Sequence, residues 1–235
     1  MKDFSNDTLL VIAPHPDDEV VGCGGLISRI KEDGGKIFVL YLTNGTTNDF
    51  SDKGVSTAEE REDEIKEVAN FFKYDGYKIA FPGNKYHLRL DSLSQKDLMD
   101  EIERGTISLE NLNPSIIAFP TLDDYNQDHR VVANAAFASC RPAPSESKKI
   151  PRLVISYEHP TGGWGISKDN YLNFFISLSK KNLGEKIQSL RLFKSQVRKT
   201  PHPRSLESVE SLAKYRGALC GILQAEAYYL HRIKY

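Results

Sequence analysis

The sequence predicts an α/β protein with a Rossmann-like, open and mostly parallel sheet and helices on both faces, in a single domain spanning residues 1–235. Three observations support this fold class. Short apolar runs alternate along the chain with longer amphipathic segments, the order expected when helices connect parallel strands. Several short runs are apolar on both faces, as in the central strands of a covered sheet. A length of 235 residues suits one such domain.

Five strands and six helices are predicted, each from its apolar pattern. The strands are Thr8–Ala13, Lys36–Thr43, Tyr77–Phe81, Ser115–Phe119 and Leu153–Tyr157. The helices are Val20–Asp33, Thr57–Tyr74, Ser94–Asn111, His129–Ser139, Asn182–Val197 and Ser205–Leu230. Gly34-Gly35 is expected to end the first helix, and Ser56 or Thr57 to cap the second. Loops are expected at 141–151 and 158–170, the second being typical of a binding loop.

The charge balance indicates neither a nucleic-acid nor a membrane partner. Lysine and arginine total 31 against 32 acidic residues, so the net charge is −1. The three cysteines form no CxxC pair, which argues against both a disulfide framework and a thiolate zinc site. The first apolar run has only five residues, too few for a signal-peptide core or a membrane span. A cytoplasmic protein is therefore expected.

Histidine and aspartate follow two of the predicted strands at their carboxyl ends. His15-Pro16-Asp17-Asp18-Glu19 comes after the first strand, and Asp123 through His129 comes after the run 116–120. Ligands of open α/β sheets bind at this edge. A catalytic zinc needs about three protein ligands and an open position. His15, Asp18 and His129 could supply two imidazoles and one carboxylate, with Asp17 as the nearest base.

Each of these residues also has an ordinary structural explanation. A histidine after a strand can be merely exposed or packed, and Asp17-Asp18-Glu19 could only charge the start of the next helix. Asp128 could do the same at the helix beginning at His129. The repetition of one pattern at two strand ends favours a metal site over these separate explanations.

The same residues resemble a known family. His15-Pro16-Asp17-Asp18-Glu19 resembles the first signature of the LmbE-like, or PIG-L-type, zinc de-N-acetylases, and Asp124 through His129 resembles the second, Asp-x-His-x-Asp-His. Supporting similarities span nearly the whole chain: Thr43-Asn44-Gly45, Arg61 with Glu64, Lys186 with Ser195-Gln196, His202-Pro203-Arg204-Ser205, Arg216-Gly217 and Ala225-Glu226-Ala227-Tyr228.

The resemblance implies a metal-dependent amidohydrolase. His15, Asp18 and His129 would be the ligands of one Zn²⁺, although another divalent metal could occupy them. Asp17 would be the general base, and Asp128 would hydrogen-bond a neighbouring imidazole or ligand. The substrate implied is a small N-acetyl sugar or sugar conjugate, and the products are acetate and a free amine.

One position departs from the family pattern. Asn126 stands where the second signature has a histidine, which the family uses to polarise the substrate carbonyl or to transfer a proton. Asparagine donates hydrogen bonds but does not transfer protons near neutral pH. Three interpretations follow: Asn126 is a neutral donor to the oxyanion, His159 or His202 replaces the histidine, or activity is weakened or redirected.

Further residues are candidates for substrate contact. The residues concerned are Arg61, Asn44, Tyr157, His159, Trp164 and His202. Each has a structural alternative: Arg61 could pair with acidic residues on its own helix, and the aromatic residues could pack within the loop. Gly22-Cys23-Gly24-Gly25 matches no phosphate-loop motif and favours close packing of helix on sheet. The basic stretch from Arg191 to Arg204 favours a solvated helix face over a phosphate site.

Two other functions remain open. Non-haem iron(II) enzymes also use two histidines and one carboxylate, usually on a β-rich scaffold. A sugar-binding protein that has lost or weakened its catalysis would also fit Asn126. Metal content and oxygen dependence would separate the first of these from a hydrolase. A homo-oligomer is compatible with the hydrolase, the iron enzyme and the sugar-binding protein alike.

Overall fold

The computed structural model describes residues 3–48, 53–144, 146–161 and 172–234. Its centre is a seven-stranded sheet. From one edge to the other, the strands are β5 (Gly76–Phe81), β2 (Lys36–Thr43), β1 (Thr8–Ala13), β6 (Ile116–Pro120), β7 (Leu153–Tyr157), β9 (Ala225–Ile233) and β8 (Phe174–Ser177). The first five run parallel, and β9 is antiparallel to β7 and β8. A separate antiparallel pair consists of β3 (Thr47–Asn48) and β4 (Val55–Ser56).

Helices cover both faces of the sheet. They are α1 (Asp18–Glu32), α2 (Ala58–Phe72), α3 (Gln95–Arg104), α4 (Leu109–Leu112), α5 (Gln127–Ser139), α6 (Lys180–Leu192) and α7 (Leu206–Leu219). Side chains of β1 alternate between two apolar clusters, with Leu9 and Val11 in one and Leu10 and Ile12 in the other. The first cluster includes residues of α1, α2, α6 and α7, and the second includes residues of α3, α4 and α5. The predicted fold class is confirmed.

The termini of the early helices follow from local sequence. Thr57 caps α2, because its hydroxyl accepts from the Glu60 N–H at 3.1 Å while the Glu60 carboxylate accepts from the Thr57 N–H at 3.0 Å. After α1, Gly34 has φ 90°, a conformation that a side chain would strain. The predicted helix stop at Gly34 is therefore confirmed, and Thr57 rather than Ser56 is the cap.

Close packing explains the glycines of α1. A Cβ atom on Gly22 would lie 2.2 Å from a ring carbon of Tyr157, and one on Gly25 would lie 2.5 Å from a methyl carbon of Leu178. Neither contact leaves room for a side chain. The helix that begins at Asp18 therefore lies against the sheet at a distance that only glycine permits, as the sequence predicted.

A buried ion pair ties α1 to the carboxyl-terminal part of the chain. The Glu226 carboxylate accepts from the backbone N–H groups of Gly25 at 2.8 Å and Leu26 at 2.7 Å. It also accepts from Lys186 Nζ at 2.6 Å, and Lys186 donates in turn to the carbonyl oxygen of Val21 at 2.7 Å. Both charges are thus paired and hydrogen-bonded, which burial requires.

Three predicted helices are corrected. The span 94–111 is two helices, because α3 ends at Arg104, before Gly105, and Ser108 caps a new one. The span 205–230 is helical only to Leu219. The chain then turns at Gly221, with φ 74°, and forms β9. The helix predicted for 182–197 runs from Lys180 to Leu192, and β8 was not predicted at all.

The strand order places the ends of β1 and β6 side by side. β2 lies on one side of β1 and β6 on the other, so the order reverses between β1 and β6. In open α/β sheets this is where a crevice forms beyond the carboxyl ends of the strands. His15 follows β1, and His129 lies in α5, the next element after β6. Within the described ranges, no helix has the length and apolar character needed to cross a membrane.

Candidate metal centre

Three buried side chains converge at the ends of β1 and β6. One ligand atom each from His15, Asp18 and His129 lies within 4.8 Å of the others. Asp18 Oδ2 lies 3.4 Å from His15 Nδ1 and 3.3 Å from His129 Nε2. Two imidazole nitrogens and a carboxylate oxygen facing one point form a donor set that suits a catalytic zinc. The residues therefore fit a divalent metal.

A second carboxylate fixes each histidine ring. His15 Nε2 lies 3.0 Å from Asp128 Oδ2, and His129 Nδ1 lies 2.9 Å from Asp124 Oδ2. The other oxygen of Asp128 accepts from the Leu90 N–H at 3.0 Å. Such carboxylates orient metal-binding imidazoles and increase their basicity. They direct His15 Nδ1 and His129 Nε2 toward Asp18.

Electrostatics make the three side chains strongly interdependent. Burial raises the pKa of Asp18, but the neighbouring His129 and His15 outweigh it and hold this pKa well below its ordinary value. Burial lowers the pKa of His129, but Asp18 and Asp124 outweigh it and raise this pKa to about 10. The pKa of His15 is likewise raised, because hydrogen bonds to Asp128 and Asp18 outweigh its burial. A divalent cation would replace protons at this cluster.

Asp17 lies beside the ligands in a strained conformation. Its φ of 96° is rare for a residue with a side chain, and such strain is concentrated at functional sites. The buried Asp17 carboxylate lies 3.2 Å from Arg204 Nη1. Burial raises the pKa of Asp17 to about 6, although Arg204 and Arg61 pull it down. A carboxylate with a pKa near neutrality suits general-base chemistry.

Glu19, the last residue of the first signature, supports this backbone. Its carboxylate accepts from the Asp17 N–H at 3.2 Å and from the Tyr41 hydroxyl at 2.7 Å. Burial raises the pKa of Glu19 to about 8, so the group is protonated at neutral pH. Glu19 therefore holds the backbone turn at Asp17 through these hydrogen bonds.

Asn126 acts as the amino-terminal cap of α5. Its side-chain oxygen accepts from the Asp128 N–H at 2.9 Å, and its own N–H donates to Asp124 Oδ1 at 2.9 Å. It also lines the cavity above the three ligands. The capping oxygen is engaged by the backbone, so the amide NH₂ is the part of Asn126 suited to a substrate contact.

The cavity above the ligands measures about 140 Å³. It receives two of the predicted substrate residues, Arg61 and His159. His159 Nε2 lies 3.6 Å from Asp18 Oδ1, and its Nδ1 lies 2.6 Å from the Thr161 hydroxyl. Burial lowers the pKa of His159 to about 4, so its ring is neutral at pH 7.

The other predicted substrate residues lie elsewhere. Tyr157 is fully buried and donates to the Ile12 carbonyl at 3.0 Å, so it belongs to the core rather than to the cavity wall. Asn44 accepts from the Gly83 N–H at 3.1 Å and is also buried. His202 lines a neighbouring groove and accepts from the Arg204 N–H at 3.0 Å. Trp164 lies outside the described residues.

Several residues that line the cavity were not among the predicted site residues. They are Thr47, His87, Leu88, Tyr125, Gln196, Arg198 and Arg204. His87 follows no strand end and belongs to no spacing pattern, yet its ring centre lies 5.5 Å from that of His15. Its Nε2 lies 2.6 Å from the Thr47 hydroxyl, and burial lowers its pKa to about 3. Arg198 and Arg204 belong to the basic stretch for which a solvated helix face was predicted. That prediction is wrong for these two residues, because both line the cavity.

Comparison with known proteins identifies a family and a relative of this chain. The PIG-L family, described as GlcNAc-PI de-N-acetylase, matches residues 10–140. An uncharacterised deacetylase of Escherichia coli K12, YaiS, is 26% identical over 196 residues, covering 80% of this chain and 90% of that protein.

Two solved structures share the fold. The N,N'-diacetylchitobiose deacetylase of Pyrococcus horikoshii has a TM-score of 0.69 at 17% identity, with 95% of this chain and 83% of that chain covered. GalB, a 4-carboxy-2-hydroxymuconate hydratase of Pseudomonas putida KT2440, has a TM-score of 0.72 at 17% identity, with 97% and 98% covered. At these identities the likeness concerns the fold alone.

Proposed function

The chain belongs to the PIG-L family of GlcNAc-PI de-N-acetylases, and from this premise we propose that it is a zinc-dependent hydrolase that removes the acetyl group from an N-acetylated sugar or sugar conjugate. The observation that carries the proposal is the buried cluster of His15, Asp18 and His129 with the Asp17 carboxylate beside it. The three ligands and a neighbouring base are the minimum that metal-assisted amide hydrolysis requires.

His15, Asp18 and His129 would hold the metal, with Asp128 and Asp124 fixing the two imidazole rings. A bound zinc ion supplies a Lewis acid that polarises an amide carbonyl and lowers the pKa of water. The chain provides the rest of the chemistry. His15, Asp18 and His129 are buried and line the cavity, so a substrate would reach them from there.

Asp17 moves the proton. It accepts a proton from the attacking water as the water oxygen bonds to the acetamide carbon. As the carbon–nitrogen bond breaks, Asp17 returns that proton to the departing nitrogen, which leaves as a free amine. The second proton of the water stays with the acetic acid formed, which ionises in solution to acetate. Asp17 ends the cycle unprotonated, ready for another water.

We assign stabilisation of the developing oxyanion to His159. It lies in the cavity within 3.6 Å of Asp18, whereas the other candidate, His202, lines a different groove. Because its pKa is lowered to about 4, His159 would donate an N–H hydrogen bond as a neutral ring. The Asn126 amide would add a second neutral donor, so that the missing family histidine is replaced by two side chains.

A sugar substrate is supported by the rim of the cavity. Tyr125 lines it and is 50% exposed, which leaves an aromatic face available to the C–H surface of a sugar ring. The Pyrococcus deacetylase, whose fold is shared, is named for an N-acetylated disaccharide.

A cytoplasmic location is supported by the cysteines. All three are free, as is usual in a reducing compartment, and Cys23 and Cys140 are buried.

A second candidate function is hydration of an unsaturated acid. GalB has this activity and shares the fold over nearly its full length. In that reaction water adds to a carbon–carbon double bond and no acetate is released. The two functions are therefore separated by their products.

The test is acetate release by metal-free and zinc-loaded protein across N-acetyl sugars and their phosphate, nucleotide and lipid conjugates. We expect zinc-dependent acetate release from one substrate class and a loss of about 10²–10⁴-fold in Asp17→Asn. Asp63→Asn, an exposed aspartate on α2, is the matched control and should release acetate at the wild-type rate. Tightly bound iron with oxygen consumption, or hydration without acetate, would contradict the proposal.

A further inference from the structure

The backbone of Asp17 is held firmly, but its carboxylate has one described hydrogen-bond partner. The Asp17 N–H donates to Glu19, and the Asp17 carbonyl accepts from the N–H groups of Val20 at 3.1 Å and Val21 at 2.9 Å. Across the described ranges, the side chain of Asp17 has a single hydrogen bond, from Arg204 Nη1 at 3.2 Å. The orientation of the carboxylate therefore depends on a residue 187 positions further along the chain.

Arg204 is itself placed by a chain of contacts from α2. Both oxygens of the Glu64 carboxylate accept from Ser195, one from its N–H and one from its hydroxyl, each at 2.7 Å. Gln196 Nε2 then donates to the Ser195 hydroxyl at 2.8 Å. Gln196 Oε1 accepts from Arg204 Nη1 at 3.4 Å. The segment between α6 and α7 is thus fixed to α2 before it reaches Asp17.

We propose that Arg204 is a positioning residue that holds the Asp17 carboxylate in the orientation needed to accept the proton of the attacking water, an inference that rests on the function proposed above. Arg204 Nη1 binds Asp17 Oδ2, which leaves Oδ1 of Asp17 for the water. The family match ends at residue 140, so this contribution comes from outside the matched region.

A purely structural ion pair is the competing explanation. The Arg204 side chain is 24% exposed, and a partly exposed pair adds little to stability. Arg204 could also bind substrate directly, since it lines the cavity. Positioning of Asp17, a purely structural ion pair and substrate binding predict different changes in kcat, KM and the position of the Asp17 carboxylate. These measurements therefore separate the three roles.

The kinetic test compares Arg204→Ala with Arg191→Ala, an exposed arginine on α6. We expect Arg204→Ala to lower kcat about 10²-fold with KM and zinc affinity near wild type, because a misplaced catalytic group costs about that much. Added methylguanidine should restore part of kcat, and Arg204→Lys should retain more activity than Arg204→Ala. An unchanged kcat, a raised KM alone, or a loss that methylguanidine does not restore would overturn the inference.

A structural readout keeps this test independent of the proposed reaction. In crystals of the zinc-loaded wild type and Arg204→Ala, we expect the Asp17 carboxylate to change rotamer or occupy two rotamers while φ of residue 17 stays the same. One identical rotamer in both proteins would overturn the inference even if no substrate were known. If Arg204→Ala does not fold, Gln196→Ala should show the same displacement, and an undisturbed Asp17 there would count equally against it.

Discussion

Asp124 and His129 are joined by a 2.9 Å contact between Oδ2 and Nδ1, across the first residues of α5. Asp128, from the same segment, makes the equivalent contact with His15 at 3.0 Å. One short stretch of chain therefore orients both histidines of the candidate metal centre, one on its own helix and one after β1. The segment from Asp124 to His129 contributes two orienting carboxylates as well as one candidate ligand.

Replacement of Asp124 should weaken metal binding without removing a ligand. Asp124→Asn keeps the shape of the side chain but loses the charge that fixes His129, and such losses typically cost 10–100-fold in metal affinity. Competition titration with a zinc chelator would measure the affinity, with Asp63→Asn as an exposed control. Equal zinc affinity in Asp124→Asn and wild type would refute this role for Asp124.

Metal binding should release protons and strengthen as the pH rises. The pKa of His129 is raised from 6.5 to about 10, so the metal-free ring is protonated at pH 7 and a metal must displace that proton. Zinc affinity should therefore increase about tenfold per pH unit between pH 6 and 8. Calorimetry in buffers of different ionisation enthalpy would count the protons released. A pH-independent affinity with no proton release would contradict this prediction.

The same raised pKa affects the metal-free fold. His129 contributes stability that is fully present below its ordinary pKa of 6.5 and is lost as the pH rises through about 10. Zinc binding removes the proton and should therefore remove this dependence. Urea unfolding at pH 6 and pH 9 measures this. The free energy of unfolding of the metal-free protein should be lower at pH 9 than at pH 6, and that of the zinc-loaded protein should not show this decrease.

Two glycine substitutions should have opposite effects on stability. Gly22→Ala places a methyl group 2.2 Å from the Tyr157 ring, which is fully buried and cannot move aside, so a loss of about 1–3 kcal/mol is expected. Gly184→Ala in α6 meets nothing within 4 Å and should stabilise by about 0.5–1 kcal/mol. Chemical denaturation measures both, and equal stability of the two variants would contradict the packing argument.

The parallel half of the sheet was predictable because each strand stands alone in the sequence as an apolar run. β9 was not, since Ala225 through Ile233 continues without a break in apolar character from the helix before it. Only Gly221 marks the turn between them, and an isolated glycine is a weak signal. β8 is four residues long and half-buried, so its pattern is too short to separate from a loop.

The candidate metal centre was predictable for a different reason: its residues follow strand ends in two dense motifs. His87 reaches the same cavity from a loop with no such pattern, and Arg204 does so from a segment whose family similarity gave no role for it. The prediction that Tyr157 contacts substrate was wrong, because the sequence does not show in which direction an aromatic side chain at a strand end points. The Tyr157 ring instead fills the space above Gly22. Spacing in the sequence indicated the candidate ligands, whereas the geometry of the loops decides which residues surround them.

The position of β9 has a consequence for how the protein forms during synthesis. This strand lies between β7 and β8, so the sheet has a gap until residues 225–233 have left the ribosome. Glu226 in the same strand supplies the acceptor for Lys186 and for two N–H groups of α1, the helix that begins with Asp18. The nascent chain would therefore carry the three candidate metal ligands before the Glu226 contacts could hold α1 in place. Metal capture would then follow the placement of β9, and chains cut short before residue 225 would lack the Glu226 contacts that hold α1.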